Sequence, residues 1–396
     1  MLKQKWFHLV LICVVIILIF AFAPVFLDFP KHGDEEHFIE TCKYFSLNPA
    51  PSLDVLRNYY ELSTPLYFYV GGLFFGIFGE KINYLRGLNL SVAIWTIYIL
   101  FGILDFYVGT NHRSWSFLSI ALFIIFPYFS YLAVHCYPDL LCLFFIVLAL
   151  QAWVRGQYLR VGLYQGFAIL TRQFALFFPV TVIIYYALID WKKFKEPRRI
   201  FGILIPIMMF LPLIMIWGGH LSPDNFHREI NHVIPMINFE FPVYLISSMA
   251  FYLFPMALLF YQKLISKRVV LLSLTGIIFF LLFPPHPNLY LKLIGSDINT
   301  LGLFHKFMIL VFGKWENIGM LIFYTFGFGF LVILFQSGQE VLFLKIAIVV
   351  FLIMNAFSHL TWDKYLLLVF PFILPCIQIL NNRIKPNETK VSFSNS

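Results

Sequence analysis

Apolar runs separated by short polar loops recur from one end of the chain to the other. They lie near residues 7–27, 86–108, 115–134, 139–154, 161–171, 174–190, 200–218, 240–262, 268–284, 317–336, 341–357 and 365–380. A helix needs roughly 17–25 apolar residues to cross a bilayer core about 30 Å thick. The pattern therefore predicts an all-α polytopic membrane protein with about twelve transmembrane helices. One further run, Pro65–Gly79 ("PLYFYVGGLFFGIFG"), is glycine-rich and short for a crossing.

Charge decides how that run is placed. If Pro65–Gly79 does not cross, the basic residues collect on one side. These are Lys3 and Lys5, Arg113, Arg155 and Arg160, the cluster "DWKKFKEPRR", Lys263 to Arg268, and Arg383 to Lys390. If it crosses, every later loop inverts and that cluster falls outside, against the preference for positive charge in cytoplasmic loops. The run is therefore read as a re-entrant or interfacial helix, with both chain ends cytoplasmic. Segment 7–27 lacks a small-residue cleavage site and is read as a retained signal anchor. Residues 1–380 then form a single transmembrane domain and 381–396 a polar, disordered cytoplasmic tail. An outer loop occupies 28–85. Within it "DEEHFIETCKYF" and "SLDVLRNYY" carry apolar residues at helical spacing, and Ser52 is a candidate N-cap.

Composition agrees: 60% of residues are hydrophobic and only 12% charged, half the charged share of an average soluble protein. The net charge of +8 does not argue for nucleic acid, and none is expected as a partner: the basic residues lie in short loops between apolar runs, where they set orientation. The five cysteines show no C-x-x-C spacing, so neither a zinc site nor a disulfide framework is expected.

Five polar clusters interrupt the apolar pattern. "HGDEEHF" places Asp34, Glu35 and Glu36 just after the first segment. It reads as a solvated helix start or as a general base at the membrane surface. Asp139 in "HCYPDLL" stands where a span meets the outer face, either as a plain interfacial acid, as an anchor for the first loop or as a contact to acceptor hydroxyls. Arg172 in "ILTRQFALF" divides two apolar runs. An arginine at that depth either snorkels to lipid headgroups or binds phosphate through its planar fork. "GGHLSPDNFHREINH" collects His220, His227, Arg228 and His232 at spacings that fit no standard zinc pattern. "SHLTWDKYLLL" sets His359, Asp363 and Lys364 before the last span, where Lys364 could pair with Asp363 or reach a phosphate.

With these residues laid out, the chain resembles the GT-C superfamily of membrane glycosyltransferases, which use polyprenyl-phosphate sugars. Asp34-Glu35, followed by His37 and Phe38, resembles the family's acidic motif in the first outer loop. "ELSTPLYFY", "YLRGLNL", "FPYFSYLAVHCYPD" and "LTRQFALF" resemble, in order, segments of the dolichyl-phosphate-glucose-dependent α-1,2-glucosyltransferases over roughly the first half of the chain. The pattern departs at Phe174-Ala175, where that family continues threonine-asparagine.

The resemblance implies a GT-C fold and an inverting sugar transfer on the periplasmic or lumenal face. It implies Asp34, seconded by Glu35, as the catalytic acids, and Arg172 and Lys364 on the donor phosphate. Asp139, Gln173, His37 and Tyr365 would then contact substrate. The expected partners are a polyprenyl-phosphate sugar, a glycan or lipid-linked acceptor and membrane lipid, with no metal and no cofactor. The short chain suggests a bacterial or archaeal cell membrane. Two readings compete: a transporter or flippase of a lipid-linked sugar, and an inactive subunit of a glycan-assembly complex. The absence of an obvious internal repeat weakly disfavours the transporter.

Overall fold

The computed structural model describes residues 14–15, 17–21, 25, 27–108, 113–189, 191–194, 196–219, 223, 237–286, 302–358 and 362–384. His220, His227, Arg228, His232 and His359 lie outside these residues. Every regular element among the described residues is helical, as the apolar pattern predicts. Contacts divide the chain into two compact units, one of residues 1–102 and 120–232, the other of 103–119 and 233–396.

The first unit begins with three short helices: α1 (Glu35–Ser46), α2 (Leu53–Asn58) and α3 (Leu66–Phe78). Helix α1 is amphipathic in the way its sequence requires. Phe38, Ile39, Cys42 and Phe45 are buried, while Glu36, His37 and Glu40 are exposed. Burying each large apolar side chain contributes about 1.5–3 kcal/mol. Ser52 caps α2 by accepting the Val55 amide at 3.3 Å, a contact that typically stabilises by about 1 kcal/mol. Helix α3 fills the Pro65–Gly79 run; its 13 residues span about 20 Å, less than a bilayer core. It packs closely on α1 because Gly72 has no Cβ. One built there would stand 2.8 Å from the Ser46 backbone nitrogen.

Helix α4 (Ile82–Val108) follows, then a bent pair, α5 (Arg113–Ile125) and α6 (Pro127–Val134), which meet at 66°. The break falls at Pro127, whose ring removes a backbone donor. After these come α7 (Pro138–Val154), α8 (Tyr158–Thr171), a short 3₁₀ turn (Gln173–Leu176), α9 (Phe177–Ile189) and α10 (Pro197–Ile216). Helices α8 and α10 touch backbone to backbone through Gly162 and Gly202. Such small-residue crossings are common where lipid removes the hydrophobic drive for association.

The second unit holds α11 (Glu240–Tyr252), α12 (Lys267–Leu282), α13 (Leu303–Phe312), α14 (Glu316–Leu334), α15 (Leu342–Asn355), a 3₁₀ segment (Asp363–Leu368) and α16 (Phe370–Ile384). The apolar run expected at 240–262 is broken: α11 stops at Tyr252 and two short helices follow, the first with Pro255 in its opening turn. Conversely, the run expected from 317 begins earlier, because α13 and α14 together form one apolar stretch, Leu303–Leu334.

By length and composition, three described helices can cross a membrane: Ile82–Tyr107, Pro197–Ile216 and Leu303–Leu334. The bent α5–α6 pair makes a fourth if it counts as one span. Shorter apolar helices, among them Pro138–Val154 and Gln173–Ile189, accompany them. The chain is an integral membrane protein.

Candidate active site

The acidic cluster separates into three carboxylates with three different environments. Glu36 is exposed and pairs with Lys31 at 3.1 Å on the surface. Glu35 is fully buried. Its Oε1 accepts from Arg86 Nε at 3.1 Å and from the Cys136 amide at 2.9 Å. Its Oε2 accepts from Arg86 Nη2 at 2.7 Å and from the His32 amide at 3.0 Å. Burial alone would raise the Glu35 carboxyl. The Arg86 hydrogen bonds and the two amides outweigh it and hold the carboxyl below its usual range.

Arg86 also donates to the carbonyls of Leu27 at 2.9 Å, Phe29 at 2.7 Å and Pro30 at 3.2 Å. Its guanidinium lies 3.7 Å from the centre of the Phe29 ring. The pair thus fastens the exit of the first segment and the start of α1 onto α4.

Asp34 stands beside this latch and is left out of it. Gly33 turns the chain into α1 with φ +60°, a conformation that costs an ordinary side chain about 1–2 kcal/mol. A Cβ there would also stand 2.5 Å from the Tyr137 hydroxyl. That hydroxyl accepts the Asp34 amide at 2.9 Å. Asp34 is half-buried, and no hydrogen bond or ion pair among the described residues engages its carboxylate.

The motifs quoted from the sequence meet around it. Segment 61–64 docks on the end of α8. Gln173 Nε2 donates to the Leu62 carbonyl at 2.7 Å, Arg172 Nη1 to Ser63 Oγ at 2.9 Å, and Thr64 Oγ1 to the Ile169 carbonyl at 2.7 Å. Arg172, which ends α8 in an extended conformation, also donates through Nη2 to Asp139 Oδ2 at 2.6 Å. Both side chains are buried, so Arg172 is ion-paired within the protein. Asn89 on α4 donates to the Tyr137 carbonyl at 3.2 Å and so holds the turn between α6 and α7.

Glu61 is the residue that sequence reasoning missed. It is buried, with Thr41 Oγ1 as a distant donor at 3.5 Å. Burial pushes its carboxyl up to about 8; Arg172 pulls it down and Asp34 adds to the rise. Near neutral pH it is therefore a neutral acid between a carboxylate and a guanidinium. The only local hint was an acid two residues before "STP".

A raised carboxyl stabilises the fold in its protonated form. That contribution is complete below the unfolded value of about 4.3 and is lost as pH rises through about 8. Glu61→Gln is expected to melt like the wild type near pH 4.5 and to become the more stable protein as pH is raised to 9. Parallel melting curves over that range would show that Glu61 titrates like a solvated acid.

The remaining candidates are differently placed. His37 is exposed on α1. Lys364 and Tyr365 belong to the second unit. Lys364 Nζ lies 3.7 Å from the centre of the Trp362 ring, and Tyr365 is buried edge-on against Phe241. The neighbouring Asp363 accepts from the Tyr252 hydroxyl at 2.6 Å and from the Phe304 amide, at the start of α13, at 3.0 Å. Among the described residues no group of three or more His, Cys, Asp or Glu side chains is arranged to hold a metal ion.

Residues 63–217 match the family described as dolichyl-phosphate-mannose-protein mannosyltransferase. That segment carries Ser63, Arg86, Tyr137, Asp139, Arg172 and Gln173 of the geometry above. The fold is similar to the crystal structure of ArnT from Cupriavidus metallidurans bound to undecaprenyl phosphate. The TM-score is 0.53 at 15% identity, over 96% of this chain and 61% of that one. The same protein in its apo state aligns with a TM-score of 0.44 at 13% identity, over 96% of this chain and 78% of that one. The chain thus spans 61% of the length of the first of these structures. No curated protein matches it by sequence. None of these matches singles out the α-1,2-glucosyltransferase branch that the motifs resemble.

Proposed function

The chain has the GT-C fold of membrane glycosyltransferases, and from that premise we propose that it transfers a sugar from a polyprenyl-phosphate donor to an acceptor hydroxyl at the outer membrane face. The observation that carries this reading is the isolation of Asp34. Of three consecutive acids it alone is half-buried with no hydrogen bond or ion pair to its carboxylate among the described residues, while its backbone is fixed by Gly33, Tyr137 and the Glu35–Arg86 latch. An acid so held suits a general base, which must reach a substrate proton without a competing internal partner.

In the proposed reaction Asp34 takes the proton of the acceptor hydroxyl. The hydroxyl oxygen attacks the anomeric carbon, and the bond from that carbon to the phosphate oxygen breaks with inversion. The electron pair leaves on polyprenyl phosphate. The leaving group is already anionic, so a cation serves it better than a general acid. Arg172 is assigned to the donor phosphate. A guanidinium carries five N–H donors and can hold a carboxylate and a phosphate together, so the Asp139 pair orients Arg172 for the task. Glu61, neutral beside them, leaves that cation uncompensated by a second carboxylate.

The test is release of free polyprenyl phosphate by the purified protein, offered glucosyl, mannosyl, galactosyl and arabinosyl polyprenyl phosphates with a hydroxyl acceptor. Movement of the intact lipid-linked sugar across the bilayer without release would instead identify a transporter. Arg172→Ala alone is expected to destabilise the protein, because removing one partner of a buried ion pair costs about 3–5 kcal/mol. Adding Asp139→Asn should recover folding, while release stays at least roughly tenfold down through loss of a charge-assisted contact. Full activity in the refolded double variant would remove Arg172 from the donor site.

A further inference from the structure

An open pocket of about 320 Å3 lies where α1 faces the end of α2. Four of its residues, His37, Glu40, Thr41 and Tyr44, come from α1. They recur at i, i+3, i+4 and i+7 and therefore share one helix face. Asp34 precedes His37 by three residues, so it stands at the N-terminal end of that same face. At 1.5 Å per residue it is about 4.5 Å along the axis from His37. Asn58, Tyr59 and Tyr60 close the opposite side. Tyr44 is 38% exposed and Tyr60 is 54% exposed. Thr41, in the pocket wall, is the residue that reaches toward Glu61.

We propose that this pocket is a saccharide-binding subsite for the acceptor. Tyr44 and Tyr60 would cover the apolar face of a pyranose, and His37, Thr41 and Asn58 would take its hydroxyls. The inference rests on the transferase reading above and gives its acceptor a chemical class. Three features favour a sugar over other ligands. Three tyrosines stand beside polar side chains, which suits a ring that is apolar on its faces and polar on its rim. Among the described residues no lysine or arginine lines the pocket, so these supply none of the cations that a phosphate or an anionic lipid headgroup recruits. Its volume stands at the lower end of the range for small-molecule sites, about 300–1,000 Å3. That suits a compact polyol better than an extended peptide or a polyprenyl chain. A sugar seated there would present a rim hydroxyl one helical turn from Asp34.

The full-length protein in detergent can be tested by saturation-transfer NMR with methyl α-D-glucopyranoside, methyl α-D-mannopyranoside and N-acetylserinamide. At least one glycoside is expected to receive saturation from the protein, and the serine amide is not. Tyr60→Ala, at an exposed position where truncation spares the packing, should weaken glycoside binding about tenfold, the loss expected from one aromatic contact. Asp34→Asn should leave binding intact. Under turnover with the same glycoside, Tyr60→Ala should raise the acceptor KM about tenfold and leave kcat and donor KM unchanged. Polyprenyl phosphate release with an acceptor KM indifferent to Tyr60→Ala would overturn the subsite and leave the transferase standing. Glycoside binding that depends on Tyr60, without any release, would overturn the transferase and leave the subsite. Absence of glycoside binding, or preference for the serine amide, overturns the subsite directly.

Discussion

Glu35→Gln is expected to unfold the first unit far more readily than any other change in the acidic cluster. The substitution keeps the shape of the side chain but leaves the Arg86 guanidinium, itself fully buried, facing carbonyls and a neutral amide. Breaking such a pair on one side costs about 3–5 kcal/mol, because the surviving charge has lost its compensation. On a domain of this size that lowers the melting temperature by roughly 5–10 °C. The loss should depend on pH. The Glu35 carboxyl lies below its usual range in the fold. It therefore stabilises above the unfolded value of about 4.3, and this contribution is lost as pH falls through the folded value. The gap between wild type and Glu35→Gln should be full at pH 7 and close on acidification. Glu35 would then act on the reaction only by positioning Asp34, in place of the second catalytic acid that the motif alone suggests. A variant that melts like the wild type yet has lost turnover would return Glu35 to the chemistry.

The sequence was informative wherever a local rule applied. Ser52 preceded a helical period and is a cap. The amphipathic face of α1 could be read from the spacing of Phe38, Cys42 and Phe45. The Pro65–Gly79 run could be read as a helix too short for an ordinary crossing. The quoted segments "ELSTP", "YLRGLNL", "HCYPD" and "LTRQ" also come together in the fold.

Partnerships across long stretches of chain were not legible. Nothing near Glu35 announces Arg86, nothing near Arg172 announces Asp139, and Gln173 turns out to hold the Leu62 carbonyl. These pairs exist only because packed helices bring distant residues together. Glu61 was missed for a related reason: its unusual chemistry comes from desolvation, which belongs to the fold and leaves no mark on the residues beside it. Apolar windows likewise gave the helical class but not the helix ends. Those depend on Pro127 and on the breaks after Tyr252, which a hydropathy average smooths away.

Asp34→Asn should lower kcat by about 10²–10⁴, the usual contribution of a positioned general base, and leave the melting temperature unchanged. The two halves of this expectation have separate grounds. The fold is spared because Asp34 contributes its backbone to the structure: the amide donates to Tyr137, and the carboxylate is engaged by no hydrogen bond or ion pair among the described residues. Catalysis suffers because an asparagine amide has the same shape but cannot take the acceptor proton. Donor KM should move little, since the donor phosphate is assigned to Arg172, at the end of another helix. Glu36→Gln is the control. Its carboxylate is exposed and, among the described residues, paired only with Lys31, and surface pairs contribute at most about 1 kcal/mol, so both turnover and melting should match the wild type. Tyr137→Phe supplies the intermediate case. It removes the acceptor of the Asp34 amide and the support under Gly33, so kcat should fall while Asp34 itself remains. Normal turnover in Asp34→Asn would end its assignment as the base.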